Sequence, residues 1–185
     1  FMTAYDSAVF TLGNFVPPDF PLDRVAIVPP AIDSQSPKNL DLPPHIARRV
    51  LEWIGVEVDR PLIVQISRFD PWKDPLGVIA AYQLVKQAVP DTQLVLAGSM
   101  ATDDPEGFHM WELTEEARAG DHSIHLLSNI QQVGAVQINA FQRAADVVIQ
   151  TSLREGFGLT VSEGFWKARP VVGGRAGGIA IQMDE

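Results

Sequence analysis

Residues 61–75 read Pro-Leu-Ile-Val-Gln-Ile-Ser-Arg-Phe-Asp-Pro-Trp-Lys-Asp-Pro, and this stretch decides the fold. Its first seven residues form an apolar run of strand length without period-two alternation, the pattern of a strand buried on both faces. Pro75 then opens a helical pattern to residue 89, with Val78, Ile79, Tyr82, Val85 and Val89 on one face. The same alternation continues outward. Strands are expected at 93–97, 124–127, 146–150 and 170–172, and helices at 45–54, 104–119, 134–145 and 159–168. In the 134–145 helix, Val136, Ala140, Phe141 and Ala144 align. Strands alternating with helices of this length predict a Rossmann-like α/β domain, a parallel sheet with helices on both faces. Ligands in such sheets bind beyond the carboxyl ends of the strands, so the loops after the strands hold the candidate site.

The first 42 residues read differently. They hold Pro17, Pro18, Pro21, Pro29, Pro30 and Pro37, and the pair Pro43-Pro44 follows directly. Proline removes a backbone donor and restricts the residue before it. Residues 1–42 are therefore expected to be a connector with short strands at 8–12 and 24–28, and 43–185 the Rossmann-like domain. The chain has 185 residues, 46% of them apolar, no cysteine and a net charge of −9. That apolar fraction excludes a disordered chain. The absence of cysteine excludes a disulfide scaffold and a thiolate metal site. The acidic balance argues against a nucleic-acid or anionic-membrane partner, though it leaves room for a local cationic pocket. No apolar run reaches the ~18–20 residues of a membrane helix. Residues 1–30 lack the basic start and apolar core of a leader, and a cytoplasmic location is expected. The chain starts at Phe1 and reads as processed or as a fragment.

Three loops carry the chemistry. After 61–67, Arg68 and Lys73 sit five residues apart before a helix start, where free N–H groups and the dipole favour an anion. The same two cations could instead pair with Asp70 and Asp74. After 146–150, Glu155 sits in a loop with Gly156 and Gly158, which permit close backbone approach and positive φ. Glu163 lies about a turn into the next helix, either facing the same crevice or serving as a dipole partner. After 170–172, Gly173, Gly174, Gly177 and Gly178 imply a tight loop near a ligand or near packed backbone. There is no G-x-G-x-x-G after the first strand of the domain and no phosphate-loop lysine motif. His122 and His125 lack a third ligand at metal spacing. The acidic residues between 103 and 121 read as a solvated face.

Ser67-Arg68, Lys73 five residues on, and Glu155 and Glu163 around Gly156-Phe157-Gly158 together resemble the retaining glycosyltransferases of family 4. The match is to the C-terminal, nucleotide-sugar-binding domain of their two-domain GT-B fold, from about Tyr5 to Met183. Residues 28–33 resemble the crossing from the N-terminal domain. Residues 68–75, 97–99, 103–107 and 152–163 are further similar to trehalose glycosyltransferring synthases, and to retaining trehalose phosphorylases. The resemblance implies a donor of nucleoside-diphosphate glucose, with Arg68 and Lys73 neutralising its diphosphate and the N–H groups of Gly158, Leu159 and Thr160 assisting. It implies that Glu163 binds the ribose hydroxyls, and that Glu155, Gly156, Phe157 and Gly158 contact the donor sugar. Ser128 and Asn129 lie where such enzymes recognise the base. No metal and no cofactor is implied, because the two cations take the role of a divalent ion. The family's N-terminal acceptor domain has no counterpart here, so the chain alone is expected to be inactive. A phosphorylase domain, or a module that binds nucleotide or phosphate without catalysis, stays open.

Overall fold

The computed structural model describes residues 2–101 and 103–183. Asp184 and Glu185, at the end of the expected domain, lie outside the described residues.

Two short strands, β1 (Ala8–Phe10) and β2 (Val25–Ile27), pair in parallel as a separate two-stranded sheet. Both fall inside the expected strands, and irregular chain links them. The second sheet is parallel, with five strands: β3 (Leu62–Ile66), β4 (Gln93–Gly98), β5 (Ile124–Ser128), β6 (Val147–Gln150) and β7 (Val171–Gly173). Their order is β5-β4-β3-β6-β7. The chain therefore steps from β3 one way to β5, then crosses back to β6 on the other side of β3. That reversal opens a crevice at the carboxyl ends of β3 and β6, the switch point of a doubly wound sheet.

Local sequence starts and stops the helices. Pro44 begins α1 (Pro44–Ile54), and Gly55 ends it in a left-handed conformation. Asp74 caps α2 (Pro75–Ala88) by accepting from the N–H of Gly77, and Asp104 caps α3 (Pro105–Arg118) through the N–H of Gly107. Each of the two caps precedes a proline at the first helical position, which loses no hydrogen bond there. The remaining helices are α4 (Ala135–Ala144), α5 (Leu159–Trp166) and α6 (Gly177–Gln182). α6 stands where the sequence shows only a glycine-rich loop, because six residues beginning with two glycines carry no helical period.

Two apolar layers sandwich the sheet. One joins Ala47 and Leu51 of α1 and Ile138, Ala140 and Phe141 of α4 to Val64, Ile66, Val95 and Val148. The other joins Val78, Ile79 and Tyr82 of α2 and Met110 of α3 to Leu94, Leu96, Ile124 and Ile149. Two expected faces needed correction. Val85 and Val89 are exposed, and the buried face of α2 ends at Tyr82. Val136 is also exposed, and Ile138 takes the inward position expected of it. Phe141 is fully buried between α1 and the sheet. Phe141→Ala should cost about 3–5 kcal/mol in urea unfolding, the usual range for a buried aromatic. A loss below ~1 kcal/mol would show that this layer does not hold the domain together.

Candidate active site

The loop after β3 and the loop after β6 meet over the crevice. The N–H of Leu153 donates to the carbonyl of Trp72 at 2.8 Å, joining their backbones. The Lys73 ammonium lies 2.6 Å from Oε2 of Glu155, and both side chains are largely withdrawn from water. Ser152 donates to the same oxygen at 3.1 Å, and the N–H of Gly156 donates to Oε1 at 3.2 Å. Gln65 of β3 holds the carbonyl of Lys73 at 2.7 Å. The structure thus brings two of the sequence-expected residues into direct contact.

Arg68 behaves otherwise. Its Nη2 lies 3.1 Å from Oδ2 of buried Asp70, while its side chain is 66% exposed. One of the two pairings open to the cations from sequence is therefore present, and Arg68 still faces solvent. Lys73 pairs with Glu155 rather than Asp74, because Asp74 is committed to capping α2.

Arg68 borders two cavities. The first, about 330 Å³, is lined by residues that include Lys38, Ser67, Gly98, Ser99, Gly134 and Thr160. The second, about 430 Å³, lies among Phe15, Trp72, Lys73, Arg154 and Glu155. The Arg154 guanidinium stacks 4.1 Å over the Trp72 ring and forms part of its wall. Thr160 donates to the carbonyl of Ile66 at 3.1 Å, which seats the start of α5 against the end of β3.

Glycine shapes the floor. Gly158 has φ 88° as the residue before α5, whereas Gly156 adopts no positive φ and has open space where a Cβ would stand. A Cβ on Gly177 would lie 1.7 Å from the carbonyl oxygen of Glu155. The glycine-rich loop after β7 therefore packs against the 155–158 backbone rather than against open space. Gln182 of α6 adds a hydrogen bond to the Phe157 carbonyl at 2.5 Å.

Glu163 of α5 is buried and is not itself part of the lining of the first cavity. Lys38 lies 2.9 Å from its Oε1, and Gln142 donates to its Oε2 at 3.0 Å. Buried Lys167 donates to Gln142 at 2.8 Å and to Asn39 at 2.9 Å. Ser128 and Asn129 are engaged elsewhere. The Ser128 hydroxyl caps the turn at Asn129–Gln131, and Asn129 clasps both backbone groups of Met100. Neither lines the cavity; from that loop Val133, Gly134 and Ala135 do. Lys38, Gln142, Phe15, Trp72 and Arg154 join the site without a role expected from sequence. The aromatic followed by lysine at 72–73 and the arginine beside Glu155 were the signals available for two of them.

A larger cavity, about 480 Å³, lies at the opposite, amino-terminal edge of the sheet among His45, Arg48, Arg143 and Arg169, and contains none of these residues.

Residues 52–184 match the model for glycosyl transferases group 1. The chain belongs to this family. It is 52% identical to a trehalose synthase of Rubrobacter xylanophilus over 99% of this chain and 44% of that protein. It is 27% identical to a trehalose phosphorylase of Pleurotus pulmonarius over 93% of this chain and 27% of that one. The chain spans under half the length of these relatives. The sucrose-phosphate synthase of Thermosynechococcus elongatus shares the GT-B domain fold, with a TM-score of 0.68, 23% identity, and coverage of 87% of this chain and 37% of that one. Among the described residues of this glycosyltransferase domain, no helix is long and apolar enough to cross a membrane.

Burial pushes the Lys167 ammonium down to about 8, against the attraction of Glu163. A lysine depressed in the folded state contributes full stability only above its unfolded pKa. That contribution is lost as pH falls through the folded value. Wild type should therefore gain stability relative to Lys167→Met as pH rises from about 8 to about 10.5, by on the order of 3 kcal/mol. A flat difference in chemical unfolding across that window would show that Lys167 titrates normally.

Proposed function

We propose that this chain is the donor-binding half of a retaining glucosyltransferase that makes trehalose from nucleoside-diphosphate glucose and glucose. The observation that carries the reading is Arg68, which borders both cavities with its guanidinium open to solvent. A diphosphate at that junction would place the nucleoside in the first cavity and the glucose in the second, beside Glu155. The 52% identity to a trehalose synthase supports the choice of sugar and acceptor.

The chemistry follows from charge. Breaking the glycosidic bond leaves growing negative charge on the diphosphate. Arg68, Lys73 and the free N–H groups at the start of α5 stabilise that charge more as the bond breaks than before. Glu155 accepts hydrogen bonds from donor glucose hydroxyls, and Lys73 with Ser152 fixes its orientation. Backbone groups of Phe157 and Gly158 complete the sugar contacts. Glu163 receives the ribose hydroxyls. The base lies toward the loop after β5, which presents Val133 to Ala135. The acceptor site and the rest of the catalytic apparatus belong to an N-terminal domain. A phosphorylase would place inorganic phosphate at Arg68 and leave the Lys38–Glu163 pair at the first cavity without a task. That pair favours a ribose-bearing donor.

Titration calorimetry with UDP-, ADP- and GDP-glucose and the corresponding free diphosphates tests the site. Arg68→Ala should weaken sugar-bearing and free diphosphates alike, by roughly 10- to 100-fold, the worth of one charge-assisted hydrogen bond. Glu155→Gln should weaken only the sugar-bearing donor. Unchanged binding by Arg68→Ala, or equal losses of both ligands in Glu155→Gln, would contradict these assignments.

A further inference from the structure

Glu163 is nearly sealed from solvent, yet three polar side chains from separate places in the chain face it. Lys38 approaches Oε1, Gln142 of α4 donates to Oε2, and the Lys167 ammonium attracts the carboxylate while hydrogen-bonded to Gln142. Lys38 differs from the other two. Its side chain is one-third exposed and lines the first cavity, so it joins that cavity to the buried carboxylate, which does not itself line it.

The backbone that delivers Lys38 is pinned. Asn139 of α4 donates to the carbonyls of Pro37 and Leu40 at 3.0 and 2.8 Å. Trp166 of α5 donates to the carbonyl of Asn39 at 3.1 Å, and the Asn39 side chain accepts from Lys167. A free surface lysine would not need four buried or half-buried bonds on the three residues around it. These contacts fix the root of the side chain and aim it at Glu163.

A carboxylate offers about four lone-pair sites, two on each oxygen. Lys38 takes one on Oε1 and Gln142 one on Oε2, leaving one on each. Two hydroxyls on adjacent carbons match that remainder. We propose that Lys38 is a positioning residue that holds the Glu163 carboxylate oriented to accept both hydroxyls of a vicinal diol, the ribose of the donor nucleotide. The proposal rests on the reading of the first cavity as a nucleotide site. It makes ribose recognition depend on the connector, through a side chain more than 120 residues away in sequence.

Calorimetry on the 185-residue chain with UDP, ADP and GDP first identifies a nucleoside diphosphate that binds. Its 2′-deoxy form and inorganic pyrophosphate are then compared across wild type, Lys38→Met and Lys38→Arg. Wild type should prefer the ribo form. Lys38→Met should lose about tenfold in affinity for it, the worth of one charge-assisted contact, with the ribo-to-deoxy ratio falling toward one. Pyrophosphate, which reads Arg68 and Lys73, should bind unchanged, and Lys38→Arg should restore most of the ratio. An unchanged ratio in Lys38→Met, or an equal loss of pyrophosphate, overturns the proposal while leaving the donor site standing. If wild type binds no nucleoside diphosphate, the donor-site reading itself fails, and this inference with it. Should Lys38→Met not fold, Lys38→Gln carries the same comparison.

Discussion

The ion pair between Lys73 and Glu155 is the constraint on which the crevice depends. Each residue comes from a loop that follows a different strand, the first of them anchored in the second apolar layer by Phe69. Taking both charges largely out of water is costly, and such a pair is weak evidence for stability. Its effect here is geometric. Once formed at 2.6 Å, it fixes the two loops to each other and leaves Arg68 as the outward-facing cation between two cavities. Removing one partner would leave the other charge without its counter-ion in a site only partly open to water. The backbone bond from Leu153 to Trp72 and the packing of the glycine-rich loop under Glu155 restrain the same two loops.

A second polar network lies deeper and runs through Glu163. It links α4, α5 and residues 33–40, with Asn39 as deeply buried as Glu163. In a low-dielectric interior every member must be satisfied, and a half-satisfied network is worse than an apolar one. The depressed Lys167 ammonium shows the strain of that requirement, since three hydrogen-bond acceptors do not fully replace lost water. The network explains why a proline-rich segment without its own core keeps a defined course over the helices. The site on the carboxyl side of the sheet and the connector are then parts of one hydrogen-bonded unit.

Much of the fold could be read from the sequence because its causes are local. The run at 61–67 is of strand length and mostly apolar without regular alternation, the pattern of an inner strand. Asp74-Pro75 and Asp104-Pro105 announce helix starts through a side-chain acceptor followed by a residue that needs no donor. Arg68, Lys73, Glu155 and Glu163 stood out because loops after parallel strands are where ligands bind. What the sequence hid depends on distant partners. Lys38 and Gln142 meet Glu163 across 125 and 21 residues, and nothing in the runs around them carries that pairing. Ser128 and Asn129 stand at the end of β5, where their side chains serve the following turn and Met100 after β4. The helix at Gly177–Gln182 was too short to show a period, and its role is to brace the loop before α5.

The central claim is that the diphosphate of a sugar nucleotide sits at Arg68, between the two cavities at the carboxyl edge of the sheet. A crystal structure of the chain with a nucleoside-diphosphate glucose tests this directly. The account predicts phosphate density between Arg68 and the start of α5, ribose on Glu163 and glucose beside Glu155. Density for the nucleotide in the arginine-lined cavity at the opposite edge, with the Arg68 crevice empty, would contradict it.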